Sequence, residues 1–142
     1  MIEISTEEIS LKTKGFTDIQ DITPRVAEML EKSGYWEGQA TIFVPGSTGA
    51  LTTIEFEPGL LVDFPRFLED ILPMKKSYQH DATWHDGNGY AHLRSALIKP
   101  SFTVPFSGRR LLLGTWQQII FIDFDNRSRQ RHLVVQFLGI RK

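Results

Sequence analysis

Three of the four histidines, His80, His85 and His92, fall within thirteen positions of the chain. Neutral imidazole is the commonest protein ligand for zinc, and three protein ligands with a fourth position open is the arrangement of catalytic zinc sites. The trio is therefore a candidate centre for a divalent metal such as zinc. Its spacing matches no established zinc motif, and the rings meet only if the Gly87-Asn88-Gly89 loop folds them together. Exposed or hydrogen-bonded loop histidines are the other reading of the same residues. Asp81 and Asp86 each follow a histidine directly, either as acceptors that orient an imidazole or as turn formers. Trp84 lies inside the cluster and either stacks on a heteroaromatic ring or packs against a wall.

A second chemical feature is Gly46-Ser47-Thr48-Gly49. Glycines let consecutive main-chain N–H groups face outward and two hydroxyls add donors, so the loop can hold a phosphate oxygen or serve as a plain hairpin turn. It is no Walker loop, because no Gly-Lys-Ser/Thr follows, and Ser47 has no Gly-x-Ser-x-Gly elbow to make it a nucleophile. Glu55 lies in the apolar strand Leu51 to Phe56, where an ionised carboxylate needs a partner or a raised pKa. It is a general acid/base or metal-ligand candidate, or a solvated edge residue. Arg94, Lys99, Arg109 and Arg110 can neutralise an anionic substrate or be ordinary surface charge. Arg127, Arg129 and Arg131, opposed by Asp123 and Asp125, read as a solvated turn with local ion pairs.

These groups need a scaffold, and 142 residues, 41% of them hydrophobic, suit one domain with one core over residues 1–142. A net charge of -1 supplies no field for steering a polyanion, so nucleic acid is not an expected partner. The absence of cysteine excludes disulfides, thiolate nucleophiles and cysteine-ligated zinc. The first eight residues lack the basic start and apolar stretch of a signal peptide, and the apolar runs 111–113 and 119–122 are too short to cross a bilayer. A cytoplasmic protein without membrane contact is expected.

The alternation of Ile9, Leu11 and Thr13, then Lys14-Gly15, predicts a β-hairpin into residues 16–19. Thr23 as N-cap, Pro24 at the first helical position, a Glu28/Lys32 pair and a Gly34 stop predict a helix over residues 24–33. Residues 38–44, with Ala40, Ile42 and Val44 on one face, and residues 50–57 predict two strands paired through residues 46–49. Leu60, Leu61, Phe64, Phe67, Leu68 and Ile71 recur at helical spacing before Pro73, with Pro65 in the first turn or at a kink. Residues 74–90 read as an irregular functional loop. Beyond them, strands resume with a turn at Gly108, a central strand apolar on both faces over residues 116–125, and a final hairpin partner carrying Leu133, Val135 and Phe137. The sum is an α+β domain with a mostly antiparallel sheet and two main helices in the N-terminal half.

Taken in order, Gly-Ser-Thr-Gly-Ala-Leu-Thr-Thr-Ile-Glu (46–55), Glu-Pro-Gly-Leu (57–60), His-Asp-x-x-Trp-His-Asp-Gly-Asn-Gly (80–89), Ala-His-Leu-Arg (91–94) and Leu-Gly-Thr-Trp-Gln (113–117) closely resemble the YjbQ family, often labelled secondary thiamine-phosphate synthase-like. The likeness runs over essentially the whole chain. It implies a YjbQ-like α+β domain assembled as a homotrimer, with a site built around histidines and a glutamate. The reaction suggested for the family joins hydroxymethylpyrimidine pyrophosphate to thiazole phosphate, as an activity secondary to another substrate. By position, the resemblance carries Glu55, His80 and His92 as catalytic residues with residues 46–49 beside them. Many relatives have histidine where this chain has Gly46, and close relatives often have histidine at Tyr90. Without a histidine at position 46, His85 would complete a three-histidine metal set.

The expectation is thus an enzyme acting on a small phosphorylated molecule. His80, His85 and His92 hold a divalent metal, Glu55 moves a proton or completes the coordination, and Gly46, Ser47, Thr48, Gly49 and Arg94 bind phosphate oxygens. A metal-dependent hydrolase and a noncatalytic binding or scaffold protein are the alternatives.

Overall fold

A computed structural model describes residues 1–142. Eight strands and four helices follow in the order β1 (Glu3–Thr13), β2 (Asp18–Asp21), α1 (Thr23–Ser33), β3 (Tyr35–Phe43), β4 (Gly49–Ile54), α2 (Pro58–Ile71), α3 (Gln79–Trp84), α4 (Gly89–Ile98), β5 (Ser101–Ser107), β6 (Arg110–Leu111), β7 (Gln118–Asp123) and β8 (Arg129–Arg141). All pairings are antiparallel. They form a five-stranded sheet, β1-β8-β3-β5-β6, and a three-stranded sheet, β2-β7-β4. The expected α+β class holds, with α1 and α2 as the two helices of the N-terminal half. No helix is long and apolar enough to cross a membrane.

Strand β7 explains the layering. Its period of two sends Ile119 and Phe121 into a core with Ile42, Val104, Val135 and Phe137 of the large sheet and Val26 and Leu30 of α1. Ile120 and Ile122 point the other way, to Leu68 of α2 and Tyr90 and Ala91 of α4. A strand apolar on both faces is thus sandwiched between a sheet and a helical layer, as residues 116–125 imply.

Three expected hairpins are absent, because the chain steps between sheets where the local pattern suggests a return. Strand β1 pairs with β8 and β2 with β7. Gly15, Phe16 and Thr17 all have positive φ, and Phe16 N–H donates to the Asp125 carbonyl, so this tight segment carries the chain across rather than back. Residues 46–49 likewise join β3 of the large sheet to β4 of the small one, and residues 124–128 take β7 to β8. Alternation shows that a strand has one buried face, but both sheets bury a face in the same core, so the pattern does not choose a partner.

Two helix details also differ from expectation. Ile22, not Thr23, occupies the N-cap of α1, and the Thr23 hydroxyl instead accepts from Ile119 N–H at 2.7 Å, pinning the helix start to β7. Pro65 sits in the interior of α2. The segment expected to be irregular contains α3, which ends where His85 turns left-handed (φ 59°) and donates its N–H to the Asp81 carbonyl, and it runs into the start of α4 at Gly89.

Candidate functional site

His80 on α3 and His92 on α4 are brought together by a close approach of the two helices. Gly89 N–H donates to Asp81 Oδ1 at 2.9 Å. A Cβ on Gly89 would lie 2.9 Å from Tyr78 Cβ, so only glycine lets α4 begin this close to α3. The two imidazole rings then stand 4.3 Å apart between centroids. Nδ1 of His80 faces Asp81 Oδ1 at 3.4 Å and Asp86 Oδ1 at 3.3 Å, leaving Nε2 for a proton or an ion. Burial, and then the neighbouring His80, push the pKa of His92 below the ordinary 6.5. His92 is therefore neutral at neutral pH. Because the folded chain resists protonating it, His92 subtracts stability as pH falls below 6.5, with the full loss reached beneath its folded value. An NMR titration should give His92 a midpoint below 6.5, rising in His80→Ala; a midpoint above 6.5 would contradict this environment.

The histidine pair forms one wall of a cavity of about 430 Å³ shared with Gly46, Ser47, Thr48, Asp86, Arg129 and Arg131. Its floor is a buried network of charge. Arg131 donates Nε and Nη2 to the two carboxylate oxygens of Asp123 at 2.7 and 2.9 Å, and Nη2 also to Thr48 Oγ1 at 2.7 Å. Thr48 Oγ1 donates in turn to Asp125 Oδ2 at 3.0 Å, and Arg129 Nε reaches the same oxygen at 2.8 Å. Asn88 Nδ2 lies 3.3 Å from Asp125 Oδ1. Burial alone would raise both aspartates. Hydrogen bonds from Arg131, Thr13 and the Asp125 N–H outweigh it at Asp123, and those from the Asn126 N–H, Asn88 and Thr48 at Asp125, so both stay ionised below the usual carboxylate range.

Several donors remain unused. Nη1 of Arg131 has no protein acceptor, and Ser47 and Thr48 N–H donate to no protein group. A Cβ on Gly46 would lie 3.2 Å from Nη1, so a histidine there would crowd the guanidinium that glycine leaves open. Consecutive free N–H groups and a guanidinium are the kinds of donor from which an anion cradle is built.

The other sequence candidates lie elsewhere. Arg94 is 2% exposed, and its guanidinium is spent on the Leu72 carbonyl, Thr17 Oγ1 and Glu69 Oε2, which ties the end of α2 to α4. Glu55 is exposed just past β4, His85 is exposed at the end of α3, and neither lines the cavity. Gly49 packs against the Phe121 ring, where a Cβ would come within 2.8 Å. Tyr90 is buried in the second core, its phenol pushed up to about 12 by burial. Trp84 stands at the cavity rim, 69% exposed. Arg131, expected in a solvated turn, is instead buried. The signal for it was Asp123, a carboxylate inside an apolar central strand that had to find a cation.

For a divalent cation, His80, Asp81 and Asp86 offer ligand atoms within 4.8 Å of one another, with the His92 ring against His80. That group is one imidazole with two carboxylates, a mixed nitrogen and oxygen donor set that divalent ions accept, and neither His85 nor His92 belongs to it.

Comparison with known proteins places these residues in context. The family model described as UPF0047 protein YjbQ-like matches residues 7–140. A UPF0047 protein of Archaeoglobus fulgidus is 39% identical over 131 residues, covering 92% of this chain and 99% of that protein. One from Methanothermobacter thermautotrophicus is 38% identical over 138 residues, covering 97% and 94%. Among solved structures, a YbjQ-like protein of unknown function from Sulfolobus solfataricus is similar with a TM-score of 0.93 at 30% identity, covering 99% of this chain and 100% of that one.

Proposed function

This chain belongs to the UPF0047 family of YjbQ-like proteins, and on that footing we infer that it is a cytoplasmic enzyme acting on a small phosphorylated molecule at the His80/His92 cavity. The observation that carries the reading is the pairing of opposite chemistries across one cavity. Free Ser47 and Thr48 N–H groups and Arg131 Nη1 stand on one side, and a neutral imidazole pair backed by Asp86 on the other.

In this reading the cradle binds the phosphate oxygens and stabilises the negative charge that builds on a phosphate or pyrophosphate leaving group. His80, its Nδ1 held at Asp86, keeps Nε2 oriented toward the reacting group. His92, neutral because it is buried, is the proton acceptor. A divalent ion such as zinc, held by His80, Asp81 and Asp86, would supply Lewis acidity toward a phosphate oxygen. Glu55 and Arg94 have no part in this arrangement, and as metal ligands His85 and His92 give way to Asp81 and Asp86. The reaction to test first is the joining of hydroxymethylpyrimidine pyrophosphate to thiazole phosphate, releasing pyrophosphate, as a side activity. The same reading includes a homotrimeric assembly, for which the exposed Ile2, Ile4 and Ile140 are available contacts.

Metal analysis of the purified protein, combined with turnover assays of wild type, His80→Ala and His92→Ala, tests this. The expected result is bound divalent metal in wild type and a loss of about 10²-fold or more in turnover in each variant. Absence of metal together with unchanged turnover in the variants would overturn it. Phosphate released from a single substrate would move the reading to a hydrolase.

A further inference from the structure

The largest cavity of the protein, about 720 Å³, lies between α1 and the β5–β6 turn and shares no residue with the His80/His92 cavity. Its two sides carry opposite charge. Glu28 and Glu31, three apart on α1, stand on one side. Arg109 and Arg110 form the other, and Leu111 and Leu113 supply apolar surface beside them. No ion pair crosses the gap. Glu28 is taken by Lys32 at 2.5 Å, whereas the side chains of Glu31, Arg109 and Arg110 make neither a hydrogen bond nor an ion pair. Both sides are anchored. Arg109 N–H donates to the Trp36 carbonyl at 3.2 Å, its guanidinium stands 5.9 Å from the Trp36 ring, and the Thr23 hydroxyl ties the start of α1 to β7. Gly108 and Arg109 are both left-handed, at φ 59° and 63°, so the turn keeps an arginine where glycine or asparagine is favoured.

We propose that this cleft binds a zwitterion with an apolar middle, its carboxylate at Arg109 and Arg110, its ammonium at Glu31 and its side chain against Leu111 and Leu113. A free apolar amino acid and a short apolar peptide share that chemistry. Because backbone contacts hold the two walls apart, their charges meet only through a ligand that carries the complement of each. A guanidinium grips a carboxylate through paired N–H donors, and an ammonium brings three donors to a glutamate. A plain anion meets Glu28 and Glu31, and a plain cation meets the two guanidiniums, so like charge disfavours both. Contact with Leu111 and Leu113 adds affinity that the charges alone do not supply. The cleft also has the size of a small-molecule site, roughly 300–1,000 Å³.

Calorimetric titration of the full chain with leucine, leucyl-leucine, N-acetylleucine and leucinamide tests this. The tighter of the two zwitterions, leucine or leucyl-leucine, identifies the source, and it should exceed both singly charged analogues in affinity by about tenfold or more. Glu31→Gln should cut the preference over N-acetylleucine to below about threefold, and the double variant Arg109→Asn with Arg110→Gln should do the same to the preference over leucinamide. All three positions are exposed, and asparagine suits the left-handed turn, so the variants keep the fold; a thermal melt verifies that. No saturable binding of either zwitterion, equal affinity for zwitterions and singly charged analogues, or a preference insensitive to both variants overturns the proposal. None of these results touches the phosphate reading, because the two cavities have no lining residue in common.

Discussion

Asp123→Asn is expected to destabilise the protein by about 3–5 kcal/mol, because it leaves the Arg131 guanidinium buried with its principal counter-charge removed. Asp123 is fully buried and receives two bonds from Arg131, one from Thr13 Oγ1 at 2.6 Å and one from the Asp125 N–H at 3.0 Å. Asp125 lies 3.9 Å from Arg131 Nη2 and cannot replace that pairing. Chemical denaturation measures the loss. A double variant, Asp123→Asn with Arg131→Met, should lose less than the sum of the two single changes, since removing both charges leaves neither stranded. The pH dependence follows from the same pair. The folded-state values of Asp123 and Asp125 lie below the ordinary 3.8, so their stabilisation is complete above 3.8 and lost as pH falls through the depressed values. In Asp123→Asn the acid limb of the stability curve should therefore be flatter. An additive double variant and an unchanged acid limb would contradict the network.

A backbone crossing carries the second large effect. Gly38 and Gly139 are paired opposite each other where β3 meets β8, next to an irregularity in the ladder between Tyr35 and Glu37. A Cβ on Gly139 would fall 2.2 Å from the Glu37 carbonyl oxygen, and one on Gly38, at φ +155°, 2.1 Å from the Leu138 carbonyl oxygen. Backbone atoms of a central strand pair cannot move aside as a flexible side chain would. Gly139→Ala is expected to cost about 4 kcal/mol or more, a drop of roughly 10 °C in Tm. Gly114→Ala is the control. Its Cβ would meet only Gln117, at 3.7 and 3.9 Å, and the change should stay within about 0.5 kcal/mol. Equal melting temperatures for the two variants would refute the argument.

Local signals were legible wherever one element decides its own form. Pro24 and Gly34 bound α1, Ala40 and Ile42 are buried on alternate positions of β3, and Gly108 turns β5 into β6. Pairing was not legible, because the hairpin rule assumes that consecutive strands share a sheet, and here β1 through β4 alternate between two. Helix α3 has six residues and none buried, so no apolar stripe marks it. At the site, His80 and His92 were found by residue type. Arg94 turned out to be held within the fold and Arg131 to line the cavity because a charge's partners depend on tertiary neighbours, Leu72 and Glu69 for one and Asp123 for the other. The free N–H groups of Ser47 and Thr48 were anticipated from the loop's composition, since glycine and hydroxyl residues between two strands leave donors without a ladder.

The pairing of β1 with β8, from Glu3↔Gly139 to Thr13↔Arg129, has a consequence for biosynthesis. Strand β8 is also the neighbour of β3, so β1 joins the large sheet only once β8 arrives. A ribosome-bound chain shorter than about residue 129 can pair β3 with β5 but leaves β1, with Ile9 and Leu11, without its partner strand. A pairing between the two ends of the chain is the most non-local in the molecule, and its late closure slows acquisition of the native state.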